Sequence, residues 1–270
     1  YQAQYGRQLG TAAEYVALDS VRAPTLPENA SFEVGACVGI PLMTAHRCVF
    51  ADGPVADQLI LVPGGAGRVG HYATQWAHRA GARVIATASN EQDAAACREA
   101  GAESVVSHRD PEWGQAVLDL TEGQKIDRVI EVEFGANLPE LIRCVGIGAT
   151  IATYSSTVVP EPALPFRTMM FMDLTIRMVI VYAMPEAAKA QEARKTIELE
   201  RLNKAHTDGL YQQQASHLVK VEAQMRGQAI DLIESCHHSS RLDAVDDMTE
   251  RRHIDVQKVS GSVGIRRAVP

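Results

Sequence analysis

The residues best suited to chemistry begin at Val62. Val62-Pro63 runs into Gly64-Gly65-Ala66-Gly67-Arg68-Val69-Gly70, where Gly65, Gly67 and Gly70 form a G-x-G-x-x-G. The pattern alone is weak. Here it follows a short apolar run, opens a helical stretch, and precedes a second β-rich run thirteen residues after Gly70. That context reads as a phosphate cradle. Gly65 would permit the tight turn, Gly67 the approach of a pyrophosphate, and Gly70 close packing of helix on sheet. The helix N-terminus adds unpaired N–H groups and positive potential. Ala66, Arg68 and Val69 complete the loop, Arg68 adding charge. The competing reading is a glycine-rich turn with no ligand.

The second β-rich run bears on which dinucleotide would fit. A site for NAD usually places an Asp or Glu at the end of that strand, on the ribose 2′-hydroxyl. Here the strand ends Thr87-Ala88-Ser89-Asn90, with no acid before Glu91. Ser89 and Asn90 leave room for a 2′-phosphate and can hydrogen-bond it, and His108-Arg109 can supply positive charge. The expectation is NADPH rather than NADH. The competing reading of Arg109 is a solvated loop arginine.

These residues need a frame to position them. Gln58–Val62, Arg83–Thr87, Ser104–His108, Arg128–Val132, Thr150–Tyr154 and Thr175–Tyr182 read as strands buried on both faces. Between them Val69–Ala80, Gln92–Ala100, Trp113–Leu120 and Leu138–Val145 read as helices. Gly81, Gly101 and Gly146 or Gly148 stand where left-handed caps would end them. Repeated β–α–β units predict an α/β, Rossmann-type, doubly wound parallel sheet of six strands. In front, Thr11–Leu18 reads as a strand, Asp19–Glu28 as a loop, and Phe32–Phe50 as one or two helices broken near Pro41. After Pro185, Glu186–His206 and Gln212–Cys236 read as charged helices, and Ser260–Pro270 as an edge strand.

Composition divides the chain in the same way. Hydrophobic residues make up 46 % and charged residues 22 %, enough for a substantial core. Thirteen of the fourteen aromatic residues precede residue 184. The net charge of −7 argues against a nucleic-acid binder. No apolar run approaches the ~18–20 residues of a membrane span, and no secretory signal is legible. Five scattered cysteines, at 37, 48, 97, 144 and 236, suit a reducing cytoplasm. Cys236-His237-His238 is the one local group of soft ligands; it reads as a polar turn rather than a metal site. Arg251-Arg252 and Arg266-Arg267 read as solvated. Because the first residue is Tyr1, a fragment or a processed product is expected.

Several blocks together resemble one family. They are Gly-Thr-Ala-Ala-Glu-Tyr-Val-Ala-Leu (10–18), Gly39 to Arg47, the glycine loop with Gln75 and Ala77 after it, Gly81 to Thr87, and Ala100-Gly-Ala. Glu131 to Asn137 and Pro162 to Arg167 extend the match. From Gly10 to Tyr182 the chain resembles the zinc-independent quinone oxidoreductases of the medium-chain dehydrogenase/reductase superfamily. The resemblance implies a Rossmann domain set into a GroES-like β lobe made by both chain ends. The expected layout is a lobe remnant at 1–33, the dinucleotide domain at 34–205, and a divergent segment at 206–270 returning to the lobe. It also implies NADPH, hydride transfer to a quinone or enone, no metal, no flavin, and a homodimer.

By position, the resemblance places Thr44 and Tyr154 near the nicotinamide end, orienting its carboxamide or the substrate. Their plainer readings are a helix threonine and a core tyrosine. It places Ser89, Asn90, His108 and Arg109 around the adenosine 2′-phosphate. Phe134 and Asn137 follow the fourth strand, Ser155 the fifth, and Val181 and Tyr182 close over the nicotinamide. Glu131 and Glu133 become structural or loop-positioning residues, and His46 a packing or solvated one. There are departures: most of the front lobe is missing, Arg68 replaces a small residue, and Asp93 stands where many relatives are basic. An acid beside a 2′-phosphate repels it. The alternatives are a nucleotide-binding module without turnover, and an enoyl or alcohol reductase of the same superfamily.

Overall fold

The computed structural model describes residues 20–26 and 32–202, together with Tyr15 and Ala17. The chain divides into two units, Tyr1–Ala215 and Ser216–Pro270, and every described residue lies in the first. The expected strands at Thr11–Leu18 (Tyr15 and Ala17 apart) and Ser260–Pro270, and the helix at Gln212–Cys236, lie outside the described residues.

Six short runs form one all-parallel sheet: β1 Leu59–Val62, β2 Arg83–Ala88, β3 Ser104–Ser107, β4 Ile126–Glu131, β5 Val145–Thr153 and β6 Thr175–Met178. Their order is β3-β2-β1-β4-β5-β6, with every ladder parallel. The order reverses between β1 and β4, so the crevice outside their carboxyl ends is the topological switch point.

The helices are α1 Phe32–Cys37, α2 Ile40–Phe50, α3 Arg68–Arg79, α4 Glu91–Glu99, α5 Trp113–Leu120, α6 Phe134–Cys144, α7 Phe166–Phe171 and α8 Glu186–Leu202. Leu59 and Leu61 of β1 join Val129 and Ile151 in a core closed by Trp113 and Val117 of α5 and Leu138 and Leu141 of α6. The pleat sends Ile60 and Val62 to the opposite face, where α2 packs against α3. Burial on both faces explains the continuous apolar strands.

The stretch 32–50 forms two helices that break near Pro41, as expected; Pro41 takes a first-turn position of α2, where its missing N–H costs no helical bond. Other boundaries differ from the sequence expectation. α6 starts four residues before Leu138 and tolerates Pro139 within it. It then runs straight into β5 at Val145, so neither Gly146 nor Gly148 caps it. Gly148 instead adopts φ +75° within an irregularity of the β4–β5 ladder. Beyond Met178 the expected strand gives way to a 3-10 turn at Val181–Ala183. Gly81 and Gly101 do take left-handed conformations just past α3 and α4, at φ +86° and +107°.

One part-buried charge cluster fastens three elements. Arg128 of β4, 3 % exposed, donates to the Cys48 carbonyl and to Asp52, each at 3.3 Å. Arg177 of β6 donates to the same carboxylate through Nε at 2.7 and 2.8 Å. The Arg177 hydrogen bond leads the influences that hold Asp52 below the ordinary carboxylate range, while burial lowers the Arg128 pKa.

Candidate functional site

Because all six strands are parallel, their carboxyl ends share one edge of the sheet. The glycine loop leaves β1 there, Ser89 and Asn90 leave β2, and His108 and Arg109 leave β3. Phe134 leaves β4, Tyr154 and Ser155 leave β5, and Val181 and Tyr182 follow β6. The topology thus gathers nearly every residue singled out from the sequence; Thr44 comes from α2.

The roles within the loop differ from the sequence expectation. Gly64, not Gly65, makes the left-handed turn, at φ +64°. Gly65 is needed for close packing: a Cβ there would stand 2.7 Å from the Ala86 Cβ and 2.9 Å from the Cys97 Sγ. A Cβ on Gly70 would stand 2.5 Å from the Gly64 carbonyl oxygen, so α3 approaches the loop as closely as backbone allows. The Gly67 N–H donates to Gly64 O at 2.8 Å, and Gly67 caps α3 without any side-chain hydrogen bond. The first-turn N–H groups of α3, from Arg68, Val69 and Gly70, therefore have neither a helical acceptor nor a side-chain cap. Ala66 is half-buried, while Gly67 and the Arg68 side chain are exposed. This fits a pyrophosphate, which would fill a cradle of backbone donors at a positive helix end.

Thr87 was not singled out from the sequence, yet it organises this corner. Its hydroxyl oxygen accepts from the Gly64 N–H at 3.0 Å and lies 3.0 Å from His108 Nδ1. Its carbonyl accepts from the Gly65 N–H at 3.0 Å. A hydroxyl ending a strand beside a glycine turn was the available signal.

Next to it, Ser89 Oγ donates to Asp93 Oδ2 at 2.9 Å and Asn90 Nδ2 donates to the same oxygen at 2.7 Å. Asn90 Oδ1 in turn accepts from the Asp93 N–H, capping α4. His108 has its pKa lowered, first by partial burial and then by Arg109, against an opposing pull from Asp93.

The β4–β5 side is held by two carboxylates. Glu131 is fully buried; Oε1 accepts from the Glu133 N–H and from Asn137 Nδ2, the latter at 2.8 Å, while Oε2 has no partner. Burial pushes its pKa up to about 7, against the pull of those hydrogen bonds. Glu133 accepts from Thr157 N and Oγ1 at 2.7 and 2.8 Å and from Val158 N at 3.0 Å. The pair thus shapes two loops, the positioning role the resemblance implied. Asn137 spends its amide on Glu131. Phe134 is 3 % exposed within the core, and its N–H donates to the Ser155 carbonyl at 3.1 Å.

Thr44 is buried in α2. The Tyr154 phenol has its pKa raised, chiefly by burial and then by Cys48 and Glu131, so it stays protonated and can only donate or accept a hydrogen bond. Val181 is buried and Tyr182 exposed. His46 is not solvated: it is buried, bonded through Nδ1 to Glu192 of α8, and its ring lies edge-on to Trp76 at 5.0 Å.

Residues 69–199 match the family model of the zinc-binding dehydrogenases. Human quinone oxidoreductase is 30 % identical over 148 residues, covering 54 % of this chain and 45 % of that protein. Crotonyl-CoA reductase of Streptomyces avermitilis is 30 % identical over 168 residues, covering 55 % of this chain and 38 % of that protein. Among solved structures, an NAD-dependent alcohol dehydrogenase superposes with a TM-score of 0.64 at 27 % identity, covering 72 % of this chain and 55 % of that one. Escherichia coli quinone oxidoreductase complexed with NADPH gives 0.60 at 20 % identity, over 67 % of this chain and 56 % of that one, a likeness of fold. The chain spans less than half the length of these curated relatives. Among the described residues no group of three His, Cys, Asp or Glu side chains is placed to hold a metal ion, so they do not fit the zinc in the family's description. Over the part of those proteins that it spans, the chain is similar to the quinone oxidoreductases and to the zinc-binding dehydrogenase family, and shares their fold.

Proposed function

We propose that this chain is an oxidoreductase that binds a nicotinamide dinucleotide along the carboxyl edge of its sheet and reduces a quinone or related enone without metal or flavin. The observation that carries the reading is the loop of residues 64–70, whose backbone donors at the α3 N-terminus are uncapped. Gly65 to Gly70 would hold the pyrophosphate. Ser89, Asn90, Asp93, His108 and Arg109 would surround the adenosine ribose. Tyr154, Ser155, Val181 and Tyr182 would border the nicotinamide half.

When bound, the dinucleotide supplies the hydride. The chain's own share is binding and orientation, which convert an encounter into a near-unimolecular step. Tyr154 keeps its proton and can hold a carbonyl or carboxamide oxygen in place. The product oxyanion of a quinone or enone can take its proton from water. The sequence expectation of NADPH rests on Ser89, Asn90, His108 and Arg109, and Asp93 opposes it.

Two observations extend the reading to partners and setting. β6 is an end strand of the sheet, and Phe166, Met170, Phe171, Met178 and Ile180 beside it are exposed. An unpaired edge beside an apolar patch favours a homodimer through this domain. Cys37, Cys48, Cys97 and Cys144 are all free and buried, which favours the cytoplasm. Among the described residues no helix is long and apolar enough to cross a membrane.

Likeness to crotonyl-CoA reductase supports a second reading, an enoyl reductase. A third is dinucleotide binding without turnover, for which the uncapped donors of residues 64–70 suffice. Mixing the protein with reduced dinucleotide and a small para-quinone, or an enoyl thioester, and following loss of nicotinamide absorbance separates the three. Quinone-dependent oxidation is expected. Binding with no oxidation by either acceptor would favour the third reading.

A further inference from the structure

We infer that Asp93 and His108 form a site that reads a ribose 2′-hydroxyl, so that this chain prefers NADH over NADPH; the inference rests on the dinucleotide reading above. The placement of side chains around Asp93 and His108 carries it. The Thr87 hydroxyl accepts from the Gly64 N–H and lies 3.0 Å from His108 Nδ1. That contact engages Nδ1, so Nε2 is the ring nitrogen left for the ribose, as donor or acceptor. Partial burial and Arg109 lower the His108 pKa, which favours the uncharged ring.

Asp93 supplies the complement. It belongs to the first turn of α4, beyond the end of β2, and sequence order alone hides its reach. Ser89 and Asn90 immediately follow β2, and both turn their donors onto Asp93 Oδ2, at 2.9 and 2.7 Å. They hold an acceptor carboxylate at the place where NAD sites need one. With the Asn90 Nδ2 bond to Ser89 Oγ at 3.1 Å, these contacts occupy the donors that would otherwise serve a 2′-phosphate.

A 2′-hydroxyl both donates and accepts, so it can give its proton to Asp93 whichever tautomer His108 adopts. A 2′-phosphate only accepts, carries up to two negative charges, and meets a carboxylate. Arg109 is the cation at this corner, and its side chain is exposed, where solvent and salt weaken its pull. The corner thus combines a carboxylate acceptor with no buried positive charge.

The test is fluorescence titration of the full chain with NADH and NADPH, repeated on Asp93→Asn and Asp93→Ser. Wild type is expected to bind NADH at least tenfold more tightly. Both variants should shift the ratio toward NADPH by about tenfold, mainly through tighter NADPH binding. Equal or tighter NADPH binding by wild type overturns the inference while leaving the dinucleotide reading intact. An NADH preference unchanged in both variants overturns the role of Asp93. Binding of neither dinucleotide overturns the dinucleotide reading and this inference with it. Competition by 5′-AMP against 2′,5′-ADP gives the same ratio without the nicotinamide half, so a defect elsewhere in the site cannot mimic the result.

Discussion

Two buried residues titrate in opposite directions and make opposing contributions to the pH dependence of stability. Glu131 ordinarily titrates at 4.5 and is pushed to about 7, so the stability it contributes is complete below 4.5 and is lost as pH rises toward 7. His71 ordinarily titrates at 6.5 and is lowered to about 4 by burial, with Gln75 Nε2 3.0 Å from its Nε2. Its contribution is complete above 6.5 and is lost as pH falls toward 4. Each shift is worth about 3 kcal/mol across its window. Between 4.5 and 6.5 the two slopes oppose and cancel. Glu131→Gln should therefore make stability rise with pH over that interval by about 1.4 kcal/mol per unit relative to wild type. Urea denaturation at three pH values reads this directly, and parallel wild-type and variant profiles would refute it. At this scale the sequence showed which residues matter better than what they do. Gly65, Gly67 and Gly70 were legible as a spacing, but the left-handed turn belongs to Gly64. Asp93 was visible only as an acid at the wrong position, because its role depends on Ser89 and Asn90 turning back to it.

Elements were more legible than contacts. Strand type followed from continuous apolar β-branched runs, and each of the six strands lies where such a run falls. Boundaries went astray where a local signal was overridden. The sequence reading starts this helix at Leu138, yet α6 begins at Phe134, held by Glu131, Glu133 and the Ser155 carbonyl. Glu131 and Glu133 lie just upstream, but the Ser155 carbonyl comes from the end of β5, outside any local window. The Asp52 cluster is a sharper case, because its members come from the end of α2, from β4 and from β6. Asp52→Asn would leave two guanidiniums facing each other around an uncharged amide. Removing one partner of a buried ion pair typically costs about 3–5 kcal/mol. Thermal or urea unfolding should show a loss of that size, with Arg177→Met costing less because the exposed partner is the one removed. A loss below about 1 kcal/mol for Asp52→Asn would show that the cluster does not fasten these elements.

At the scale of the whole molecule, the all-parallel order decides everything else. It puts six loops at one edge, reverses direction between β1 and β4, and leaves β6 at the end of the sheet. The site is therefore a property of topology, legible once the β–α–β alternation is read; the expected lobe at the chain ends lies mostly outside the described residues. If β6 is the assembly edge, Met178→Lys should convert a dimer to a monomer in light scattering while dinucleotide affinity stays within about threefold. A dimer unaffected by that charge would place the interface elsewhere. The central claim is that backbone donors at residues 64–70 hold a dinucleotide. Calorimetric titration of NADH into wild type and into Gly67→Asp tests it most directly. A Cβ at Gly67 would stand 3.1 Å from the Gly64 carbonyl oxygen, and the aspartate adds negative charge against a pyrophosphate. The account predicts saturable one-to-one binding by wild type and at least 100-fold weaker binding by a variant that remains folded by circular dichroism. Undiminished affinity in that folded variant would contradict it.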